Sequence, residues 1–321
     1  MGRAVASAPG KTILFGEHFV VAGEPAIAVA LGLRARVEAV TGGGEIRVVS
    51  KNLQAEARFP LEGGGRGPLL PVAVAAREAL RAAGAGGGVR VVVDSEIPPS
   101  AGMGSSAAVA VATVAAVAAA AGSPLPPERV SELAYRAEEV VHGRPSGIDN
   151  TVSALGGAVL YRRGVGARRL DVGFRGVELV LADTGLPRST GAMVKKVLAL
   201  RDAYPEILGH IYAAAGALVE KAAELLEAGD YASVGRLMDV NQGLLSAIGV
   251  STLEIERLVY TARRAGALGA KLTGAGGGGF IVALARSGDA GRVAASLGEV
   301  SGRVYTAPVE RVGVRIEERD L

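Results

Sequence analysis

The chain has 321 residues, of which 49% are hydrophobic and 21% are charged. This composition is typical of a folded globular protein and excludes a disordered chain, and the length suggests two domains. The absence of cysteine excludes disulfides, thiolate catalysis and cysteine metal sites. The net charge is only +3, without a dense run of Lys and Arg or interleaved aromatics, so nucleic-acid binding is not expected.

No segment of the sequence has the character of a targeting or membrane signal. Residues 1–7 lack the apolar core of a secretory signal peptide. The longest apolar run, residues 107–121, is mostly alanine and is shorter than the ~20 residues that span a bilayer. The sequence therefore predicts a buried helix over this run, no membrane partner and a cytoplasmic location.

The secondary structure predicted from periodicity mixes strands and helices along the whole chain. Apolar or alternating runs predict strands over residues 13–21, 26–31, 34–39, 45–50, 89–93, 158–161, 177–182, 280–284, 303–307 and 313–316. Helical spacing predicts helices over residues 70–83, 105–121, 128–141, 191–202, 206–228, 231–248, 252–265 and 288–297. Because this order lacks a regular β-α-β alternation, it favours an α+β fold. A predicted boundary divides the chain into domains 1–172 and 173–321.

Two glycine-rich stretches imitate nucleotide motifs. Gly10-Lys11-Thr12 resembles the end of a P-loop, but the first glycine of that motif is replaced by Val5, and an apolar strand-like run follows. Residues 274–279 satisfy the letters of a dinucleotide fingerprint but lead directly into a predicted strand instead of a helix. Both motifs are therefore rejected.

The segment from residue 97 to residue 108 has the features of a phosphate-binding loop. Gly102 and Gly104 allow the backbone to approach an anion closely, and Ser105 and Ser106 then open a long helix. The first amides of a helix lack internal partners and its N-terminus carries partial positive charge, so a phosphate chain is favoured there. A serine hydroxyl could also ligate Mg²⁺. An ordinary N-cap is the alternative, but Gly-x-Gly-Ser-Ser after two prolines favours phosphate binding.

Glu138 projects from the apolar stripe of the helix predicted over residues 128–141. A buried carboxylate without a cation is costly, so this side chain needs a positively charged partner. The spacing leaves two partners open, an arginine or Mg²⁺.

Asp149 ends the loop over residues 142–150 and has two possible roles. The spacing alone favours a helix N-cap. The alternative is a general base that takes a proton from a substrate hydroxyl, and such a base benefits from a nearby cation. Lys11 is a candidate for this cation because it is embedded in apolar sequence, although an isolated lysine usually extends to the surface.

Three blocks together resemble the GHMP kinase superfamily: residues 8–18, residues 98–108 and residues 271–278. They occur in the order of the superfamily and span nearly the whole chain. Residues 11–28 and 142–150 narrow the resemblance to the branch that phosphorylates a hydroxy acid of isoprenoid biosynthesis.

The resemblance implies a two-domain α+β kinase that uses ATP and Mg²⁺. The N-terminal domain would be ribosomal-protein-S5-like, the C-terminal domain ferredoxin-like, and the active site would lie in the cleft between them. Relatives are often dimers, so a homodimer is expected.

The resemblance also implies roles for individual residues. Asp149 would be the catalytic aspartate with Lys11 beside it, and Ser106 and Glu138 would ligate the metal. Glu17, His18, Arg188 and Thr190 would face the acceptor substrate. The nucleotide would be held by Ser95, Pro99, Ser100, Ala101, Gly102, Met103, Gly104, Ser105 and Ser106.

Two alternatives to this function are compatible with parts of the same sequence. Another small-molecule kinase of the superfamily would share the phosphate loop. A non-catalytic nucleotide-binding sensor would be expected to have lost Lys11, Glu138 or Asp149, and all three are present.

Overall fold

The computed structural model describes residues 2–98, 102–142, 146–187 and 189–320, with the side chains of residues 141 and 142 excepted. Helices and sheets are mixed without a regular alternation, which confirms the α+β class. The contacts divide the chain into two compact units. Unit 1 comprises residues 1–11, 30–156 and 310–321, and unit 2 comprises residues 12–29 and 157–309.

Unit 1 is built on a sheet with the strand order β12-β1-β2-β5-β3-β4. Its strands are β1 (Arg3–Phe15), β2 (Ala26–Thr41), β3 (Ile46–Ser50), β4 (Ala55–Phe59), β5 (Val89–Ser95) and β12 (Arg315–Asp320). β3 and β5 pair in parallel, whereas β12 pairs with β1, β2 with β5 and β3 with β4 in antiparallel fashion.

Unit 1 has a central helix, α2 (Ser105–Ala120), that is made almost entirely of alanine and valine. Three helices surround it: α1 (Leu70–Ala82), α3 (Pro127–His142) and α4 (Ile148–Leu155). Because α2 is apolar on all sides, it must be buried on all sides, and α1, α3 and α4 pack against it. The buried helix predicted at this position is confirmed.

Unit 2 contains a separate four-stranded antiparallel sheet. Its strands are β8 (Val177–Asp183), β9 (Gly269–Leu272), β10 (Phe280–Arg286) and β11 (Val304–Ala307), in the order β11-β8-β10-β9. With helices between β8 and β9 and between β10 and β11, this is the β-α-β-β-α-β arrangement of a ferredoxin-like fold. The hairpin of β6 (Ala158–Arg162) and β7 (Gly166–Leu170) pairs with residues 26–29 of β2.

The helices of unit 2 enclose its hydrophobic core. They are α5 (Thr190–Ala203), α6 (Pro205–Glu227), α7 (Tyr231–Ala247), α8 (Leu253–Arg264) and α9 (Ser287–Gly298), and a 3₁₀ turn covers Phe19–Ala22. The ring of Phe19 meets the ring of Tyr212 edge-on within this core. Among the helices that the structure describes, none is long and apolar enough to cross a bilayer.

Three features of the fold differ from the elements that periodicity predicts. The strand predicted over residues 13–21 is wrong beyond residue 15, because Gly16 and His18 have positive φ angles of 92° and 59°. The strands predicted over 26–31 and 34–39 are one continuous strand, β2. The sequence does not predict the strands β4, β7 and β9, since each has only four or five residues, and β7 and β9 also lack a clear apolar alternation.

The C-terminal strand belongs to unit 1, because β12 pairs with β1. The contact units are therefore discontinuous in sequence. The division into domains 1–172 and 173–321 stays a prediction.

Arg34 ties the C-terminal segment to the sheet of unit 1. Its guanidinium donates to the carbonyl oxygens of Ser7, Val312 and Gly313 at 3.1, 3.1 and 2.6 Å. It also lies 3.3 Å from a carboxylate oxygen of Glu310, and its side chain is only 11% exposed. Hydrogen bonds from a buried charged group to several carbonyls stabilise more than ordinary surface contacts do.

We expect Arg34→Ala to lower the free energy of unfolding by about 3 kcal/mol, because three carbonyl acceptors, two of them in partly buried hydrogen bonds, lose their donor. Arg36 on the same strand, 53% exposed and paired with Glu318, is the matched control. Arg36→Ala should leave the denaturation midpoint nearly unchanged. Equal midpoints for the two variants in urea unfolding would contradict this role of Arg34.

Candidate active site

An ion pair between the buried Lys11 and the partly exposed Asp149 lies in unit 1. Lys11 is carried by β1, is 5% exposed, and its Nζ atom lies 2.9 Å from Oδ1 of Asp149. Lys11 therefore does not extend to the surface, which was the alternative to a place beside Asp149. Asp149 lies in the first turn of α4, whose N-cap is Gly147 at φ 84°, so the N-cap interpretation of Asp149 is also wrong.

The start of α4 is anchored to α3, which carries Glu138. The side-chain amide of Asn150 donates to the carbonyl oxygen and to the hydroxyl of Ser131, both at 2.9 Å. Asn150 is itself buried, so this contact fixes the position of the neighbouring Asp149 relative to α3.

Glu138 is a second carboxylate close to the Lys11–Asp149 pair. It is 4% exposed and, in the part of the chain that the structure describes, it forms no ion pair, so the arginine partner considered from the sequence is not found there. Its burial, together with the negative charge of Asp149, raises the pKa of Glu138 to about 8, and the positive charge of Lys11 opposes this rise. An additional cation beside Glu138 would be electrostatically favoured.

Two glycines allow β1 and the loop before α2 to approach closely. The amide of Lys11 donates to the carbonyl oxygen of Met103 at 2.8 Å. A Cβ atom at Gly10 would lie 2.8 Å from that same oxygen, and one at Gly104 would lie 2.8 Å from Cγ of Lys11. Gly104 also has a φ of 71°, which glycine adopts without strain. The loop and the lysine are therefore packed as one assembly.

The N-terminus of α2 opens onto a cavity of about 300 Å³ within unit 1. Gly104 is the N-cap and offers no side chain, while Ser105 and Ser106 are partly accessible. The cavity brings together three of the predicted nucleotide-binding residues, Ser95, Ser105 and Ser106. Its other lining residues are Ser50, Asn52, Leu53, Pro68, Leu69, Pro71, Val72, Val93, Ile97, Val109 and Ala110.

Most of the cavity wall was not identified from the sequence, because it consists of ordinary apolar residues from β5, α1, α2 and the loops beside them. Asn52 closes one side by pairing with the backbone of Ser95. Its Nδ2 donates to the carbonyl oxygen at 2.7 Å, and its Oδ1 accepts from the amide at 2.8 Å. Pro99, Ser100 and Ala101, which the resemblance also assigns to the nucleotide, lie outside the described residues.

A second polar cluster lies in unit 2 around Glu17 and His18. Glu17 forms a buried ion pair with Lys271 and accepts a hydrogen bond from Nδ2 of Asn241 at 3.3 Å. His18 lies 2.8 Å through Nε2 from the carbonyl oxygen of Ala275, and its burial lowers the pKa of the imidazole. Because a carbonyl only accepts, Nε2 carries the proton of this neutral ring.

The partner of Glu17 was missed in the sequence. Lys271 lies in the apolar stretch of β9, and a lone charge in a buried strand requires a counter-charge, which was the available signal. Thr190 is the first residue of α5, is exposed, and follows the N-cap Ser189. Arg188 lies outside the described residues.

The glycine-rich loop over residues 274–279 leads into β10, which confirms the rejection of a dinucleotide fingerprint. Lys11 lies within a strand and not at the start of a helix, which confirms the rejection of a P-loop.

Comparisons with known proteins assign the chain to a family. The model of the GHMP kinases N terminal domain matches residues 71–157, and the model of the GHMP kinases C terminal domain matches residues 222–301. The mevalonate kinase of Aeropyrum pernix is 43% identical over 324 residues, which cover 99% of this chain and 100% of that protein. This chain belongs to the GHMP kinase family.

Further similarities agree with this assignment. The mevalonate kinase of Thermococcus gammatolerans is 41% identical, and the alignment covers 98% of this GHMP kinase and 99% of that protein. The crystal structure of L. major mevalonate kinase in complex with R-mevalonate is 30% identical with a TM-score of 0.82, and covers 98% of this chain and 97% of that one. The chain is therefore an ATP-using phosphotransferase, and the superfamily resemblance noted in the sequence is confirmed.

We expect Gly104→Ala to lower the kcat of this kinase by about 100-fold, because the new Cβ displaces Lys11 by roughly 1 Å. Gly122→Ala is the matched control. Gly122 has a similar φ of 88°, but a Cβ there meets nothing within 4 Å. Steady-state kinetics on both variants measure the effect, and a Gly104→Ala enzyme as active as Gly122→Ala would contradict the assembly described here.

Glu138 should make the stability of the metal-free protein depend on pH. Its pKa of about 8 in the folded state exceeds the ordinary value of 4.5, so protonation stabilises the fold. This contribution is complete below pH 4.5 and is lost as the pH rises through 8. Glu138→Gln does not titrate, so its Tm should increase relative to wild type by at least about 2 °C between pH 5 and pH 8.5.

The control for this experiment is Glu139→Gln, since Glu139 lies on the same helix but is 37% exposed and paired with Arg136. Differential scanning calorimetry without Mg²⁺ or nucleotide measures both variants. A difference between Glu138→Gln and wild type that stays constant with pH would contradict the raised pKa.

Proposed function

We propose that this kinase transfers the γ-phosphoryl group of ATP to the primary hydroxyl of mevalonate, giving 5-phosphomevalonate for isoprenoid biosynthesis. The observation that carries the proposal is the identity of 41–43% with two mevalonate kinases over nearly the full length of each protein. The mevalonate kinase of L. major, which was crystallised with R-mevalonate, shares the fold at 30% identity.

The proposed catalytic residues are Asp149 and Lys11. Phosphoryl transfer depends on positioning and charge stabilisation more than on covalent chemistry by the protein. Asp149 accepts or orients the proton of the mevalonate hydroxyl, and the ammonium group of Lys11, 2.9 Å from Asp149, orients that carboxylate. Lys11 and the N-terminus of α2 offset the negative charge on the transferring group.

Ser106 and Glu138 are the proposed ligands of Mg²⁺. Hydroxyl and carboxylate oxygens are the donors that Mg²⁺ prefers, and Glu138 is a buried carboxylate that lacks an ion-pair partner among the described residues. The described residues hold no group of three or more His, Asp or Glu side chains that could bind a metal, which agrees with an ion held partly by substrate phosphates. When bound, Mg²⁺ neutralises part of the charge of the triphosphate.

The proposed nucleotide site is the cavity at the start of α2. Its polar edge contains Ser95, Ser105 and Ser106, and its remaining wall is mainly apolar, which suits a planar base. The loop from residue 99 to residue 106 is proposed to hold the phosphates at the helix N-terminus.

Glu17, His18, Arg188 and Thr190 are the proposed residues on the mevalonate side. Both carboxylate oxygens of Glu17 are engaged within the protein, so Glu17 acts through its neighbours. The homodimer and the cytoplasmic location stay predictions.

An ADP-release assay with mevalonate, phosphomevalonate and galactose as separate acceptors tests the proposed function. Turnover should depend on mevalonate. A preference for phosphomevalonate or galactose would assign another kinase activity, and nucleotide binding without turnover of any acceptor would indicate a non-catalytic sensor.

We expect Asp149→Asn to lower kcat by about 10²–10⁴-fold, the usual contribution of a general base, with little change in the KM for ATP. Asp202→Asn, at an exposed position on α5, is the control and should retain full activity. Steady-state kinetics with mevalonate and ATP measure both variants. Near-full kcat in Asp149→Asn would show that the carboxylate has no part in the reaction.

A further inference from the structure

The ion pair between Glu17 and Lys271 is completely enclosed by protein. The side chain of Lys271 is 0% exposed and that of Glu17 is 1% exposed. The lysine also donates to the carbonyl oxygen of Leu272, and Asn241 donates to the second carboxylate oxygen of Glu17 at 3.3 Å. Glu17 therefore has no accessible surface for contact with a small molecule.

Stability alone is a poor explanation for such a pair. Removing two charges from water often costs more free energy than their mutual attraction returns. Well-packed neutral residues frequently stabilise a core equally well. The pair is therefore a candidate for a positioning role.

The backbone next to Glu17 has an unusual conformation. Gly16 has a φ of 92°, and His18 has φ and ψ of 59° and −45°. A side chain such as histidine rarely adopts a positive φ, and the surrounding contacts must compensate for the strain. One such contact is the bond from Nε2 of His18 to the carbonyl oxygen of Ala275. Another is the ion pair of the preceding residue, Glu17, and backbone hydrogen bonds across residues 16–21 add to both.

Lys271 lies on a strand whose position is fixed independently by helix α7. The amide of Ala270 donates to Oδ1 of Asp239 at 3.0 Å, and the amide of Leu272 donates to Oε1 of Gln242 at 2.9 Å. These two side chains accept hydrogen bonds from the edge strand β9 at the backbone amides on either side of Lys271. The lysine is therefore held on a rigid support.

The strand continues into the loop that contacts His18. The hydroxyl of Thr273 lies 2.9 Å from that of Thr12 and donates to the carbonyl oxygen of Ile13. Contacts from Lys271, Thr273 and Ala275 thus link one continuous segment, residues 271–275, to residues 12–18.

We propose that Lys271, acting through Glu17, is a positioning residue that holds His18 in its positive-φ conformation for binding of the acceptor alcohol. The part of this proposal that concerns acceptor binding rests on the proposed function. The role in fixing His18 is a property of the unliganded protein and can be measured without substrate.

The test uses the double variant Glu17→Gln/Lys271→Met, which removes both charges and leaves no unpaired buried ion. The control is Glu56→Gln/Arg47→Met, which removes an exposed ion pair whose side chains are 42% and 41% exposed. The thermal midpoint of the test variant should stay close to wild type, because a neutral pair can replace a buried ion pair.

Two readouts report on the positioning. The KM for mevalonate should rise at least about 10-fold, whereas the KM for ATP should change less than about 2-fold, because only acceptor binding is disturbed. In ¹⁵N NMR of the unliganded protein, which has three histidines, the exchange-protected Nε2 proton of His18 should be lost in the test variant and kept in the control.

Three results would overturn the proposal. Unchanged KM and an unchanged His18 signal would assign the pair to folding alone. A raised KM with an unchanged His18 signal would mean that Glu17 acts on the acceptor without positioning His18. A lost His18 signal with unchanged KM would mean that His18 does not serve acceptor binding.

If the double variant does not fold, Lys271→Arg replaces it. The larger guanidinium group displaces Glu17 while the positive charge is kept. The KM for mevalonate and the His18 signal are then measured as before, with the same outcomes. If the wild-type protein does not phosphorylate mevalonate, the proposed function fails, while the NMR measurement still decides whether the pair positions His18.

Discussion

The ion pair of Lys11 and Asp149 determines how the rest of unit 1 is arranged. A lysine on an interior strand must find a counter-charge, and Asp149 supplies it at 2.9 Å from the start of a short helix. The lysine side chain can lie there only because residue 104 has no Cβ atom. One charged contact therefore relates β1, the loop before α2 and the start of α4.

Glu138 adds a buried carboxyl group with a raised pKa to this arrangement. Burial, and then the negative charge of Asp149, raise the pKa of Glu138, so ionising this carboxyl costs free energy unless a further cation lies beside it. A cation bound beside Glu138 would favour its ionised form, as the proposed magnesium site requires.

The sequence predicted the parts of the site that depend on local pattern. Glu138 could be identified because it interrupts an apolar stripe, and the phosphate loop because its glycines and serines are adjacent. The role of Asp149 as an N-cap was wrong, since spacing does not show that Gly147 already occupies that position. The apolar wall of the cavity is formed by residues distant in sequence, so no local pattern identifies it. The charge of Lys271 in an apolar strand signals that a counter-charge is needed, but not that Glu17 supplies it.

We propose that Glu138 and Ser106 bind the metal–nucleotide complex at the start of α2. Crystals grown with Mn²⁺ and ADP test it most directly, because the anomalous signal of manganese locates the ion without ambiguity. We expect an anomalous manganese peak within about 2.5 Å of oxygen atoms of both Glu138 and Ser106. A nucleotide bound elsewhere, or a peak that contacts neither residue, would contradict it.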